Sequence, residues 1–131
     1  TQINNYSFSE INTTGDKRIN YKIKNMLLFN SSKNSINSFS LNIDTKKIKS
    51  IKNKNIKNEI LSYNIQIVTE INFKLSGNTM NKRYKVTEAG SYKASTHSLT
   101  TLNNEKQLVN QLTDRIINKI KNNLSSMVND N

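Results

Sequence analysis

The clearest hydrophobic pattern in the chain runs from Tyr63 to Ser76, where apolar and polar residues alternate. Alternate side chains of a β-strand point to opposite faces of a sheet, so the pattern predicts a strand from about Glu59 to Ser76 with one buried face. The apolar parity carries Tyr63, Ile65, Ile67, Ile71, Phe73 and Leu75, and the polar parity carries Asn64, Gln66, Glu70, Asn72, Lys74 and Ser76. Another element of the chain must cover the apolar face.

Shorter alternations predict three further strands. Gly77 and Asn78 favour a hairpin turn after the long strand, and Gly90 indicates a bulge or bend in the strand that follows. The alternating positions are Tyr6, Phe8 and Glu10 in the first strand, Phe39, Leu41 and Ile43 in the second, and Lys82, Tyr84, Val86 and Glu88 in the last.

Helical spacing replaces alternation in two segments. The first helix is expected to follow Thr14 or Asp16, either of which can cap a first turn, and to end near Asn30. The second is expected to start near Asn103 or Asn104 and to run for about 25 residues, or roughly 37 Å, after a polar turn over residues 95–102. The apolar stripes are Ile19, Ile23, Met26 and Leu27 in the first helix, and Leu108, Val109, Leu112, Ile116, Ile117, Ile120, Leu124, Met127 and Val128 in the second.

The predicted order is therefore strand, helix, three strands, helix. This order favours an α+β fold, a two-layer sandwich in which two helices pack on one face of a four-stranded, mostly antiparallel sheet. A length of 131 residues fits a single domain over residues 1–131. The other sheet face, which carries Asn64, Gln66 and Lys74, is left to solvent or to a partner.

Composition narrows the chemistry. The chain has no Cys, so neither a disulfide nor a thiolate metal site is expected, and no apolar run approaches the roughly 18 residues of a membrane span. The net charge of +11 points to a polyanionic partner if it is selected, or to the bias of an AT-rich genome if it is not. The sequence begins at Thr1 without Met, so we expect that a leader, with or without an anchoring residue, precedes it.

No catalytic pattern is visible in the sequence. His97 is the only histidine, and a single loop histidine without a partner is typical of a solvated side chain. The nine acidic residues are scattered, and the three glycines are too far apart to form a phosphate loop. The sequence therefore predicts no enzyme, no metal site and no cofactor.

A lysine-rich segment begins at Lys46 and is predicted to be a strand end that runs into an exposed loop. Lysine clusters attract phosphates, but lysines also protect exposed sheet edges, and both interpretations stay open. Nucleic acid is less favoured as the ligand, because bases stack on aromatic side chains, whereas Tyr63, Phe73 and Phe39 lie on the apolar parity and are expected in the core. Tyr84 and Tyr92 lie close to basic neighbours in sequence. The segment carries Lys46, Lys47, Lys49, Lys52, Lys54 and Lys57, and a second basic group, expected nearby in a meander, carries Lys82, Arg83, Lys85 and Lys93.

The organisation resembles the LptE family, the outer-membrane lipoproteins that assemble lipopolysaccharide with the β-barrel translocon LptD. The resemblance rests on the order of the predicted elements, on the stretch from Leu61 to Phe73, and on the tail. That tail begins with residues 103–106 and continues with the aliphatic–basic pattern of residues 115–120. These patterns of residue class cover nearly the whole chain.

The resemblance implies a non-enzymatic subunit that plugs and supports an LptD-like barrel and contacts lipopolysaccharide during its delivery to the outer leaflet. It implies contacts from the loop between the second and third strands, matched here by Lys52, Lys54 and Lys57. It also implies a contact just before the last helix, where Leu102 stands and Lys106 follows about one turn later. Lys47 and Lys49 complete the predicted lipopolysaccharide-binding set. A lipid anchor before Thr1 is expected to hold the protein on the periplasmic face of the outer membrane.

Two other functions stay open. One is a basic α+β module that binds nucleic acid or another polyanion, and the other is a periplasmic interaction domain whose charge is compositional. For the lysine segment, we expect that replacing Lys52, Lys54 and Lys57 together by Gln weakens lipopolysaccharide binding without altering thermal stability.

Overall fold

The computed structural model describes residues 6–32, 37–75 and 81–129. Within these residues, four strands and two helices follow in the predicted order. They are β1 (Ser7–Gly15), α1 (Lys17–Phe29), β2 (Ser38–Lys54), β3 (Ile60–Leu75), β4 (Asn81–Lys93) and α2 (Ser98–Asn129). The predicted α+β class is confirmed, because both helices pack against the sheet and against each other.

The strands lie in the order β1-β2-β3-β4 in one mixed sheet. β1 runs parallel to β2, with α1 as the crossover between them, whereas the β2–β3 and β3–β4 pairs are antiparallel. Parallel neighbours need a longer connection than a hairpin, and the helix supplies it. α1 packs on β1 and β2 and α2 packs on β4 and β3, so the helices divide one face of the sheet between them.

β3 confirms the predicted alternation and lies at the centre of the core. Ile65, Ile67 and Phe73 are fully buried. Thr69 is buried on the same face, where its hydroxyl is 3.1 Å from that of Thr45, so neither polar group is left without a partner. Further buried core side chains are Tyr6, Ile19, Ile23, Leu27, Phe39, Leu41, Ile43, Ile71, Val86, Tyr92, Leu112, Ile116, Ile117, Ile120, Leu124 and Met127.

Asp16 begins α1, as one of the two predicted caps. Its Oδ1 accepts a hydrogen bond from the Ile19 backbone N–H at 3.0 Å, which satisfies a donor of the first turn. Thr14, the other candidate, belongs to β1, and its hydroxyl donates to Asp44 at 2.8 Å. The start of the helix is therefore fixed next to the end of β1.

Three residues depart from their predicted faces. Met26 is 38% exposed, because it lies about 100° around the helix from the buried Leu27. In β1, Glu10 is exposed and Ile11 packs against the core, the reverse of the expected parity. A bulge between Phe8 and Glu10 adds one residue to β1 and so changes which side chains face inward.

Gly15 ends β1 in the left-handed backbone region, with φ +91°. A Cβ at this position would lie 2.0 Å from the carbonyl oxygen of Thr45, so the close pairing of β1 with β2 requires glycine. The N–H of Asp16 donates to the same carbonyl at 2.9 Å. The pairing of β1 stops here, and the rest of β2 extends past it.

The expected loop after Lys46 is wrong, because β2 continues to Lys54. Its ladder with β3 runs on from Lys46 opposite Val68 to Lys54 opposite Ile60, with irregularities on either side of Asn53. The side chains of residues 46–54 are all exposed, so no apolar alternation marks this segment as a strand. We call residues 38–45 the inner half of β2 and residues 46–54 its outer half.

α2 begins at Ser98, not near Asn103 or Asn104 as expected, and its 32 residues correspond to about 48 Å. The hydroxyl of Thr101 accepts a hydrogen bond from the Ser95 N–H at 2.7 Å, which stabilises an earlier start within the polar segment. Asn104 does not cap the helix. Its side-chain amide donates to the Lys93 carbonyl at 3.1 Å and ties α2 to the end of β4.

Gly90 marks a close approach of α2 and not the predicted bulge. The β3–β4 register is unbroken through Gly90, which lies opposite Ile65. A Cβ on Gly90 would lie 2.8 Å from a methyl carbon of Leu108, so this side chain packs where the strand has none. The predicted stripe of α2 is buried from Leu112 to Met127.

Three predictions concern features outside the described residues: Ser76 as the end of the long strand, the turn at Gly77 and Asn78, and the side chain of Val128. In the part of the chain that the structure describes, no helix is both long and apolar enough to span a bilayer.

Candidate functional site

The turn between β2 and β3 forms the outer end of the sheet. The N–H of Asn55 donates to the Glu59 carbonyl, and the N–H of Glu59 donates to Asn55 Oδ1, both at 2.9 Å. Asn58 has φ 67°, a left-handed conformation that Asn adopts more readily than most residues. These bonds close the turn and hold Ile56 and Lys57 at its apex.

Apolar side chains are exposed around this turn, next to the predicted lysines. Ile56 is fully exposed. The N–H of Ala94 donates to the Leu61 carbonyl at 3.0 Å, which brings the start of α2 to the same end of the molecule. We define the tip surface by its exposed residues Ile51, Lys54, Ile56, Lys57, Leu61 and Leu99.

The tip surface combines cations with apolar side chains, a combination that suits an amphiphile with both a charged and a greasy part. The sequence predicted the lysines. It did not predict the apolar neighbours as a surface, because Leu99 joins it only through the early start of α2. The isoleucines at 51 and 56 were the visible signal, as apolar positions that fit neither alternation nor a helical face.

Lys49 has a different role from the tip lysines. Its Nζ lies 2.8 Å from Glu105 Oε1 and 4.5 Å above the Tyr63 ring, and the Tyr92 hydroxyl donates to the same Glu105 oxygen at 2.8 Å. Hydrogen bonding to Glu105 raises the pKa of Lys49, hydrogen bonding from Lys49 lowers the pKa of Glu105, and burial raises the pKa of Tyr92. Lys49 thus fastens α2 to the hairpin.

The other predicted lysines lie on separate surfaces. Lys52 donates to Ser91 Oγ at 3.2 Å, and Ser91 pairs with Asn64, whose side chain is on the face that the helices leave open. Lys47 and Lys106 lie on the helix side, where both line one cleft. The structure therefore brings Lys54 and Lys57 together at the tip and separates them from the rest of the predicted set.

The second basic group is divided between the two faces of the sheet, so only part of it shares a face with lysines of the first group. β3 separates β4 from β2 in the sheet. Arg83 and Lys85 lie opposite Asn72 and Glu70 on the open face, whereas Lys82 lies opposite Phe73 and thus on the helix-covered parity. β2, β3 and β4 pair in the expected meander, which puts Arg83 and Lys85 on the same open face as Lys52.

The open face of the sheet is polar, as predicted, and holds a groove of about 600 Å³. Its walls include Asn12, Asn42 and Asn72, one from each of three neighbouring strands. The Asn12 side-chain amide donates to Asn42 Oδ1 at 3.2 Å. Amide and charged side chains in such a row form hydrogen bonds with polar or hydrated partners.

Tyr84 and Tyr92, which lie close to basic neighbours in the sequence, are both engaged within the domain. Tyr92 is buried and bonded to Glu105. Tyr84 packs edge-on against Phe73, with ring centroids 5.5 Å apart. Over residues 6–32, 37–75 and 81–129, no group of three or more potential metal ligands comes together. His97 lies just before α2, where its N–H donates to Ser95 Oγ at 3.1 Å.

Fold and site together define a two-layer α+β domain with an amphiphilic tip. No protein-family model and no curated protein sequence matches the chain. Solved structures do match it. Rare lipoprotein B from Shewanella oneidensis aligns with a TM-score of 0.70 over 93% of this chain and 98% of that one, at 13% identity.

Two further structures have the same arrangement. The uncharacterized lipoprotein B from Nitrosomonas europaea aligns with a TM-score of 0.61 over 98% of this chain and 91% of that one, at 8% identity. A protein described as a lipoprotein from Caulobacter crescentus aligns with a TM-score of 0.62 over 90% and 89%, at 10% identity. Identities this low concern the fold alone. The chain has the LptE-like fold of these lipoproteins, in line with the resemblance found in the sequence.

Proposed function

We propose that this chain is a non-enzymatic lipopolysaccharide-assembly subunit of the LptE type. It is lipid-anchored at the periplasmic face of the outer membrane, plugs and supports an LptD-like β-barrel, and contacts lipopolysaccharide on its way to the outer leaflet. The observation that carries the proposal is the tip surface, where exposed lysines stand beside exposed aliphatic side chains. Lipid A presents the complementary pair of groups, phosphates and acyl chains. The fold shared with lipoproteins is the second support.

Both the lysines and the apolar side chains of the tip surface contribute to binding in this proposal. Lys54 and Lys57 are exposed at the turn and act as mobile point charges, which bind phosphate without strict geometry. Ile56 is fully exposed, and covering an isoleucine side chain completely is worth about 1.5–3 kcal/mol. The apolar contact is therefore at least as strong as one solvent-screened lysine contact, which is worth about 1 kcal/mol or less.

The open face of the sheet is the part that we assign to the barrel. It carries the polar groove with Asn12, Asn42, Asn72 and Arg83 among its walls. The lumen of an outer-membrane barrel is polar and hydrated, so a polar sheet face matches it better than an apolar one. The tip then extends beyond the covered part of the sheet, where lipopolysaccharide can reach it.

The lysines are tested with Lys54→Gln/Lys57→Gln. The control Lys74→Gln/Lys82→Gln removes the same charge at the other end of the β3–β4 ladder, where Lys74 and Lys82 are also exposed. We expect the tip variant to bind lipopolysaccharide 5–30-fold more weakly, which corresponds to about 1–2 kcal/mol, and the control to bind within about twofold of the wild type. Calorimetric titration with purified lipopolysaccharide measures both.

Ile56→Ser separates the apolar contribution from the charge. It should weaken lipopolysaccharide binding and leave binding of heparin, a polyanion without acyl chains, unchanged. Equal losses in the tip variant and in its control would show a diffuse attraction of charges and reject the tip assignment. Binding of heparin or RNA as tightly as lipopolysaccharide would favour the general polyanion module instead.

The barrel is tested by co-expression. We expect an LptD-like barrel encoded in the same genome to co-purify with the tagged full-length protein. If no barrel co-purifies while lipopolysaccharide still binds, the plug function is rejected and the lipid contact is kept.

A further inference from the structure

A cleft lies between the start of α1 and the first half of α2. It encloses about 360 Å³, near the small end of the range of about 300–1,000 Å³ that is usual for small-molecule sites. Four cations line it, namely Arg18, Lys22, Lys47 and Lys106, together with the two carboxylates Asp16 and Glu105.

Both carboxylates of the cleft already have partners. Asp16 caps α1 through the Ile19 N–H at 3.0 Å. Glu105 is paired with Lys49 at 2.8 Å and accepts the Tyr92 hydroxyl. Glu105 is offset by Lys49, and the single charge of Asp16 does not balance the cations that face the cleft, so the site keeps an excess of positive charge.

Only one of the four cations is paired. Lys22 forms an ion pair with Asp114 at 2.9 Å. Arg18, Lys47 and Lys106 form no ion pair with any residue that the structure describes. Their side chains come from three different elements, α1, β2 and α2, so only the folded chain brings them together. Three unpaired cations around one cavity make a site for an anion.

The lining is not uniformly charged. Ile19, Leu102 and Val109 add apolar surface to the same cleft, and Leu102 is 44% exposed. An inorganic anion would leave this apolar surface uncovered. A ligand with an anionic head and an apolar chain would cover both kinds of lining.

We infer that the cleft binds a phosphate group carried on an apolar chain. Arg18 donates to the phosphate through its planar guanidinium, which matches two phosphate oxygens at once. Lys47 and Lys106 add charge without a fixed geometry, and Leu102 and Val109 contact the chain. This site uses none of the residues of the tip surface and does not depend on the function proposed for it.

The test uses decyl phosphate, below the concentration at which it forms micelles, with inorganic phosphate and decyltrimethylammonium as comparison probes. The variant is Arg18→Gln/Lys47→Gln, and the matched control is Lys74→Gln/Lys82→Gln, which removes the same charge outside both the cleft and the tip surface. We expect the cleft variant to bind decyl phosphate at least tenfold more weakly in calorimetric titration and the control variant to stay within about twofold of the wild type.

Two further measurements check the two ends of the ligand. Leu102→Ser should weaken the binding of decyl phosphate severalfold and leave that of inorganic phosphate unchanged, and decyltrimethylammonium should not bind. Arg18 and Lys47 are exposed, so the melting temperature should not change. If the double variant nevertheless fails to fold, Lys106→Gln replaces it, with a smaller loss expected.

The inference is overturned by any of three results: no binding of decyl phosphate to the wild type, equal losses in the cleft variant and its control, or equal affinities for decyl and inorganic phosphate. Loss of lipopolysaccharide binding at the tip alone would leave it standing. The two proposals therefore fail by different measurements.

Discussion

The two halves of β2 have the same hydrogen-bonded neighbour and opposite surroundings. The inner half lies between β1 and β3, and its residues Phe39, Leu41, Ile43 and Thr45 are buried. The outer half pairs with β3 alone among the described residues, and all its side chains are exposed. Backbone pairing is enough to keep the strand extended, whereas burial decides which half stabilises the domain and which is free to meet a ligand.

The boundary between the halves is set by β1. Gly15 and Asp16 both contact the carbonyl of Thr45, after which the chain turns into α1. Past that point, the ion pair of Lys49 with Glu105 connects the hairpin to α2. We therefore expect mutations in the inner half of β2 to destabilise the domain much more than mutations in its outer half.

The largest effect is expected for Ile43→Ala in the inner half. Ile43 is buried, so its truncation removes apolar contacts and leaves a cavity, which should lower the free energy of unfolding by about 2–5 kcal/mol. Ile48→Ala makes the same chemical change in the outer half, where the side chain is 49% exposed, and should cost about 0.5 kcal/mol or less. Urea unfolding measures both, and similar losses would contradict the distinction between the halves.

The next effect concerns the boundary. Gly15→Ala combines a left-handed backbone with a Cβ placed against the Thr45 carbonyl, and we expect a loss of about 1–3 kcal/mol. Gly90→Ala is the control, because the added Cβ meets the flexible end of Leu108 and the backbone there is ordinary. Thermal unfolding compares the two variants. If Gly90→Ala were the less stable of the two, the close approach at Gly15 would not be the reason that β1 ends at a glycine.

The smallest effect is expected for the connection of α2 to the hairpin, and it depends on pH. Hydrogen bonding to Lys49 is the main cause that lowers the pKa of Glu105 in the folded protein. The ion pair therefore stabilises the fold fully above the unfolded-state pKa of about 4.3. This stabilisation is lost as the pH falls through the lower pKa of the folded state. Glu105→Gln should therefore cost about 1 kcal/mol or less at pH 7, since Lys49 is 44% exposed to screening solvent, and still less at pH 3.

Urea unfolding of wild type and variant at the two pH values measures this difference. Glu88→Gln is the matched control, because its ion pair with Lys119 is longer, at 3.4 Å, and Lys119 is more exposed. A cost for Glu105→Gln that is the same at pH 3 and pH 7 would mean that the carboxylate acts through packing and not through its charge.

The elements that have one buried face and one exposed face were predictable from the sequence. β3 and α1 show their buried faces directly in the spacing of Ile65, Ile67, Ile19 and Ile23. The outer half of β2 has no buried face, so its strand character depends on the ladder with β3, which spacing cannot show. The start of α2 was missed for a related reason, since its first turns carry polar residues and the exposed Leu99.

The candidate site was predictable only in part. The lysines of the tip were found by their density in the sequence. Which of them share a surface depends on the strand register, on the irregularity at Asn53 and on the length of α2, all of which are properties of the folded chain. The pairing of Lys49 with Glu105, 56 positions apart in the numbering, had no local signal.

The inner and outer halves of β2 are protected from pairing with further strands in different ways. The inner half has no lysine and is covered by β1, while the outer half has lysine at five of its nine positions and no covering strand in the described residues. Joining two copies of the domain along the outer half would bring ammonium groups against each other in a chain that already carries a net charge of +11. The same lysines thereby oppose self-association into a continuous intermolecular sheet.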